Sequence, residues 1–66
     1  MQESLGQKIR RLRKERKLSQ SRFAACIGIT QTQVCKYEND ESIPSLTTLE
    51  WMCQFFEISA SELLGF

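Results

Sequence analysis

Gln31, Thr32, Gln33 and Lys36 crowd into one short segment, and together they offer the main ways a side chain reads a base edge. A Gln amide presents a donor beside an acceptor and can pair bidentately with adenine. A Lys ammonium can donate to guanine O6 and N7, and a Thr methyl can touch the thymine methyl. Such groups need a rigid element that holds them on one exposed face. Counting about 100° per residue from Val34 puts Tyr37 and Glu38 on the Val34 side of a helix. Thr32, Lys36 and Asn39 point the opposite way, with Gln33 and Cys35 on the flanks. Gln31 falls in the first turn, the end that typically enters a groove. A merely solvated polar face would look similar. Three features tip the balance: a short helix just before, a turn at Gly28, and no acidic residue between Gln20 and Tyr37.

The segment Ser19–Glu38 therefore reads as a helix-turn-helix. Its first helix starts from Ser19 as N-cap, buries Phe23, Ala24 and Ile27, and stops where Gly28 can take a left-handed backbone. Its second helix opens on the capping box Thr30-Gln-Thr-Gln33 and ends near Asn39. Gln20, at the start of the first, is a candidate phosphate clamp because helix N-termini present free amides. Another helix precedes this pair, from about Ser4 to Arg16, with Leu5, Ile9 and Leu12 as an apolar stripe. Two more follow. One runs from Ser45 to Phe56 after a loop in which Pro44 discourages helix at Ile43. The last is short, opening on a second capping box at Ser59–Glu62 and ending at Gly65. The expected fold is all-α, five helices in a single domain over residues 1–66.

Composition narrows the function. With 66 residues and no His, the chain lacks the commonest general base and metal ligand and has little material for a substrate pocket. No glycine-rich phosphate loop or activated carboxylate pair is visible, so an enzyme is not expected, nor a cofactor or metal. No apolar run approaches the ~20 residues that span a bilayer, and the start MQESLGQK has no signal-peptide core. A cytoplasmic protein with no membrane association is the expectation, and no small-molecule effector is evident. Cys26, Cys35 and Cys53 are odd in number and form no C-x-x-C pair, so reduced thiols acting as small apolar residues are preferred to a disulfide, a zinc site or a redox sensor. Net charge is only +1, but residues 1–22 hold eight of the nine basic residues against Glu3 and Glu15. That asymmetry favours a nucleic-acid partner, either through contacts or through long-range attraction from a solvated helix face.

In the fourth helix, Leu46, Leu49, Met52, Cys53 and Phe56 form the expected core stripe. Trp51 and Phe55 lie on roughly the opposite side. Two large aromatics outside the core of so small a domain point to a self-association patch, which Leu64 and Phe66 would extend, giving a dimerisation region at 46–66. The competing possibility is that the last helix folds back over Trp51.

These residues resemble the phage-repressor-like helix-turn-helix family, the Cro/C1 or XRE type. The resemblance rests on Leu5-Gly6, Ile9, Leu12-Arg13, Leu18-Ser19-Gln20, Phe23-Ala24, Ile27-Gly28-Ile29-Thr30, Val34, Tyr37-Glu38-Asn39, Ile43-Pro44-Ser45, Leu49, Met52-Cys53, Phe56 and Ile58-Ser59. It covers nearly the whole chain. It implies a lambda-repressor-like five-helix domain that binds operator DNA as a two-fold homodimer, a transcriptional regulator acting as a repressor. Base reading would fall to Gln31, Thr32, Gln33 and Lys36, with Cys35 also able to face the groove. Phosphate contacts would come from Gln20, Asn39, Ser42 and Ile43. Arg13 and Glu38 would pair structurally and orient the reading helix. Two departures stand out. Asp40 and Glu41 follow the Glu-Asn pair where the family commonly has glycine, and both would repel phosphates unless they turn away. Phe23 replaces the usual Leu. The alternative is a protein-interaction module, such as an antitoxin-like or anti-repressor partner, which would not need the Thr32/Lys36 face.

Overall fold

A computed structural model describes residues 3–65, so Phe66 lies outside the described residues. The helices are α1 (Leu5–Glu15), α2 (Gln20–Ile27), α3 (Gln31–Glu38), α4 (Leu46–Phe56) and α5 (Ala60–Leu64), with no strand among the described residues. Each begins on a hydroxyl. Ser4, Ser19, Thr30, Ser45 and Ser59 accept from the backbone N–H three residues on, which satisfies donors that helix geometry leaves free. Full capping boxes form at Ser4/Gln7 and Thr30/Gln33. The box expected at Ser59 is one-sided: Ser59 caps Glu62 N–H, but the Glu62 carboxylate meets the Ser59 hydroxyl instead of its backbone amide.

Ile9, Phe23, Ala24, Ile27, Val34, Tyr37, Met52, Phe56 and Leu63 make one core, drawn from all five helices. Phe23 is fully buried and stacks on Phe56 at 5.2 Å between ring centroids. The larger ring at this position thus meets an aromatic partner on α4, and Phe55 closes the cluster at 5.7 Å from Phe23. The α4 stripe differs from the helical-wheel expectation. Leu46 is 72% exposed while Thr48 is buried, and Phe55 is half-buried against Phe23. Leu46, the first residue of α4, stays in solvent, while Thr48 in the same turn takes the inward position. The packed part of the helix turns toward α2 far enough to take in one edge of Phe55.

Helix ends explain much of the chain path. Gly28 takes φ +78° and ends α2, with Ile29 N–H returning to the Ala24 carbonyl. The same left-handed turn ends α1, α3 and α4 without glycine, at Lys17, Asp40 and Glu57 (φ +58°, +59° and +58°). The residue after each donates to the carbonyl five back: Leu18 to Arg13, Glu41 to Lys36, Ile58 to Cys53. These are Schellman closures with a side chain where glycine is cheapest. No helix among the described residues is long and apolar enough to cross a membrane.

Glu57 is exposed and makes no side-chain hydrogen bond or ion pair among the described residues. Glu57→Gly should therefore stabilise the domain by about 0.5–1 kcal/mol, relief of the left-handed strain outweighing the added freedom of the unfolded chain. Urea denaturation followed by circular dichroism checks this; a midpoint at or below that of the parent chain contradicts it.

Candidate nucleic-acid interface

α3 is held from behind. Val34, Tyr37 and Glu38 are its buried residues, and Glu38 meets Arg13 of α1 in an ion pair whose side chains are only 2% and 9% exposed. Arg13 Nε donates to Glu38 Oε2 at 2.7 Å and Nη2 to Oε1 at 3.1 Å. Its third branch, Nη1, donates to the Leu18 carbonyl at 2.7 Å. Gln20 Nε2 adds a further donor to Glu38 Oε1 at 3.1 Å. One carboxylate on α3 thus binds α1 and the first residue of α2, and its Arg13 partner extends the link to the loop between them. No buried side-chain nitrogen or oxygen lacks a partner among the described residues, the condition under which a buried ion pair is tolerated.

The outward face is open. Gln31, Thr32, Gln33, Lys36 and Asn39 are exposed, and Cys35 is half-buried. Gln20, Gln31, Thr32, Cys35, Lys36 and Glu41 line one shallow groove. The structure thus brings Gln20 to the base-reading candidates Gln31, Thr32 and Lys36. Gln33 is set apart by its capping duty: its Oε1 accepts from the Thr30 backbone N–H at 2.9 Å and faces the Thr30 hydroxyl at 3.2 Å. While that cap holds, Gln33 has only its amide nitrogen free to donate, and bidentate pairing is left to Gln31. Asn39 Nδ2 lies 3.5 Å from Cys35 Sγ as donor. Ser42 and Ile43 are both exposed, Ile43 at 83%.

The two carboxylates after Asn39 part company. Asp40 turns to the start of α1, where Oδ1 accepts from Gly6 N–H at 3.0 Å and Oδ2 from the Ser4 hydroxyl at 2.7 Å. Glu41 stays on the wall of the groove. Gly6 is what lets the two helices approach: a Cβ there would run into the Tyr37 and Glu38 carbonyls and Asp40 Oδ1.

Part of the basic charge of α1 and its C-cap is engaged within the chain. Arg11 pairs with Glu3 and Glu15, and Arg13 is buried. Arg16 donates to the Phe56 carbonyl at 2.6 Å and lies over the Phe55 and Phe56 rings. Lys8 donates to the Glu62 carbonyl at 3.1 Å. Arg10, Lys14, Lys17, Arg22 and Lys36 form no ion pair among the described residues and carry the outward positive field.

On the other side, Trp51 is 43% and Leu64 39% exposed. Cys26, Ile27, Trp51, Gln54 and Phe55 line a second shallow groove. The cysteines are free thiols, and burial above all, with the Glu50 charge, pushes the Cys53 thiol up, away from the reactive thiolate.

Comparison with known proteins places this geometry. The Helix-turn-helix family matches residues 9–63. The chain is 36% identical over 62 residues to the immunity repressor protein of Bacillus phage phi105, covering 94% of this chain and 43% of the relative. It is 34% identical over 61 residues to the antitoxin PezA of Streptococcus pneumoniae, covering 92% of this chain and 39% of that protein. The chain thus spans less than half the length of these two relatives. Among solved structures, the P22 c2 repressor bound to a synthetic operator superposes with a TM-score of 0.89 at 24% identity, covering 96% of both chains, and shares the fold. SinR, a master regulator of biofilm formation solved in complex with DNA, superposes at 0.82 with 28% identity, covering 89% of this chain and 95% of that one.

Glu38→Ala leaves the buried Arg13 guanidinium without its counter-charge and should cost about 3–5 kcal/mol. The double replacement Arg13→Met with Glu38→Leu should recover most of that. Urea titration of the three chains checks both statements; a loss under about 1 kcal/mol for Glu38→Ala contradicts the first.

Proposed function

The chain belongs to the Helix-turn-helix family, and from that premise we propose that it is a sequence-specific DNA-binding transcriptional regulator, a repressor that binds a palindromic operator as a homodimer with α3 in the major groove. The observation that carries this is the division of α3. A buried ion pair fixes its inner side, while Gln31, Thr32 and Lys36 share an open groove. In this reading Gln31 pairs bidentately with a base, Lys36 donates to guanine, and the Thr32 methyl meets thymine. Gln33 contributes through its free amide nitrogen. Gln20, Asn39, Ser42 and the Ile43 backbone contact phosphates, with Gln20 already oriented by Glu38. The phi105 relative is named an immunity repressor and SinR was solved with DNA; both likenesses support the reading.

The homodimer would form through the exposed Trp51 and Leu64 with the outer edge of Phe55, and Phe66 would extend the patch. Two copies would then present their α3 helices about one helical turn apart, ~34 Å. A second reading, a protein-interaction module of the antitoxin type, draws support from the likeness to PezA. It predicts a protein partner in place of salt-sensitive DNA affinity.

Selection from a random duplex library, followed by binding titrations at several salt concentrations, tests the proposal. A palindromic consensus and an affinity that falls steeply with salt are expected. Lys36→Ala should relax the preference at one base pair at a cost of about 1–3 kcal/mol. Gln20→Ala should weaken all sequences alike. An unenriched library overturns the reading. Trp51→Glu should abolish self-association in sedimentation velocity, and a parent chain that is already monomeric at high micromolar concentration removes the dimer.

A further inference from the structure

Of the three non-glycine residues in the left-handed region, Lys17 and Glu57 make no side-chain hydrogen bond among the described residues, whereas Asp40 makes two. It stands directly after the Asn39 cap of α3, and its own N–H closes on the Tyr37 carbonyl at 3.1 Å. Glu41, next along, closes on Lys36 and lies on the groove wall. Resting on the DNA-binding reading above, we propose that Asp40 is a positioning residue. By capping the start of α1, it fixes the C-terminal end of α3, and with it the placement of Lys36, Asn39 and Glu41 against DNA.

Besides the Arg13–Glu38 pair further along α1, the start of α1 approaches the end of α3 where Gly6 leaves room for the Tyr37 and Glu38 carbonyls. Glycine there removes a steric obstacle but supplies no attraction. Asp40 supplies it: one carboxylate oxygen takes the Gly6 amide and the other the Ser4 hydroxyl. The partial positive charge of a helix N-terminus favours a carboxylate at that position. Asn and Asp tolerate the left-handed backbone better than most side chains, so the strain at φ +59° is modest. The carboxylate that charge alone would cast as a phosphate repeller is instead directed at α1.

This makes the sign of one substitution decisive. Asp40→Gly removes a negative charge beside the proposed interface and also removes the tether. If Asp40 acts only through its charge, D40G tightens DNA binding. If it positions α3, D40G weakens binding by about fivefold or more, the scale of a lost helix cap. Asp40→Asn removes the charge but keeps an acceptor for Gly6 N–H and a group for Ser4, so it should bind at least as tightly as the parent. The probe is a labelled duplex recovered by the parent chain from a random library, with thermal unfolding and Gly6 amide exchange measured in parallel. Weak D40G, parent-like D40N and loss of Gly6 protection only in D40G support the proposal. Binding by D40G equal to or tighter than the parent overturns it. So does weakened binding by D40N, or a D40G chain unfolded at 25 °C, which would make Asp40 a residue of the fold alone. A parent chain that recovers no duplex is the distinct failure of the DNA-binding reading itself.

Discussion

The Glu38 carboxylate is the point on which the domain turns. It accepts two bonds from Arg13 and one from Gln20, and Arg13 passes its remaining branch to the Leu18 carbonyl. Three helices and the loop between two of them are thereby fixed at one buried site. Taking two charges out of water is expensive, and the outlay is offset only when every lone pair and proton finds a partner. Here each nitrogen of the Arg13 guanidinium and each oxygen of the Glu38 carboxylate has at least one partner, because the two groups meet edge to edge in their natural fork. An apolar pair would fill the volume as well, but without directional hydrogen bonds between the helices. In a core of nine buried apolar residues, directional bonds are an economical way to obtain one orientation.

α1 acts as a strut, and several basic side chains on it and at its C-cap bind carbonyls elsewhere in the chain. Arg16 reaches the last carbonyl of α4, Lys8 that of Glu62 in α5, and Arg13 that of Leu18. Cations suit helix C-termini for the reason that anions suit N-termini. The start of α1 completes the pattern from the other side, receiving the Asp40 carboxylate. The charge asymmetry along the chain therefore has two causes, and Arg10, Lys14, Lys17, Arg22 and Lys36, which have no ion-pair partner among the described residues, are the cations without an internal task.

Local signals made most of the secondary structure legible. Hydroxyl caps, the Gly28 turn and Pro44 act over four or five residues, so the sequence itself displays the five helices and their order. The left-handed ends at Lys17, Asp40 and Glu57 were not legible, since no glycine marks them and the Schellman closure is a property of the folded backbone. The faces of α4 were only half legible. A helical wheel assigns angles but not the direction of the neighbours, so Leu46 is exposed where periodicity puts it in the core, and Phe55 is half-buried where periodicity puts it outside. On α3 the wheel succeeded because Val34, Tyr37 and Glu38 form a narrow inner side opposite short polar residues. Even there it was blind to function within the polar set. That Gln33 is occupied by a cap and Asp40 by a distant helix are facts of tertiary geometry.

The distribution of duties along α3 has a consequence for how recognition could change. Gln31, Thr32 and Lys36 are exposed and make no side-chain hydrogen bonds within the described chain. Substitutions there leave caps, core and ion pair untouched, and surface changes of this kind usually cost little stability. Gln33 is different, because its oxygen closes the cap on which α3 starts. A change at 33 alters the helix terminus together with whatever that side chain contacts. On the proposed reading, sequence preference is therefore free to vary at three positions and coupled to folding at the fourth. The buried Glu38 network is what permits this freedom: once the helix is oriented from behind, its front face has no structural task beyond the cap.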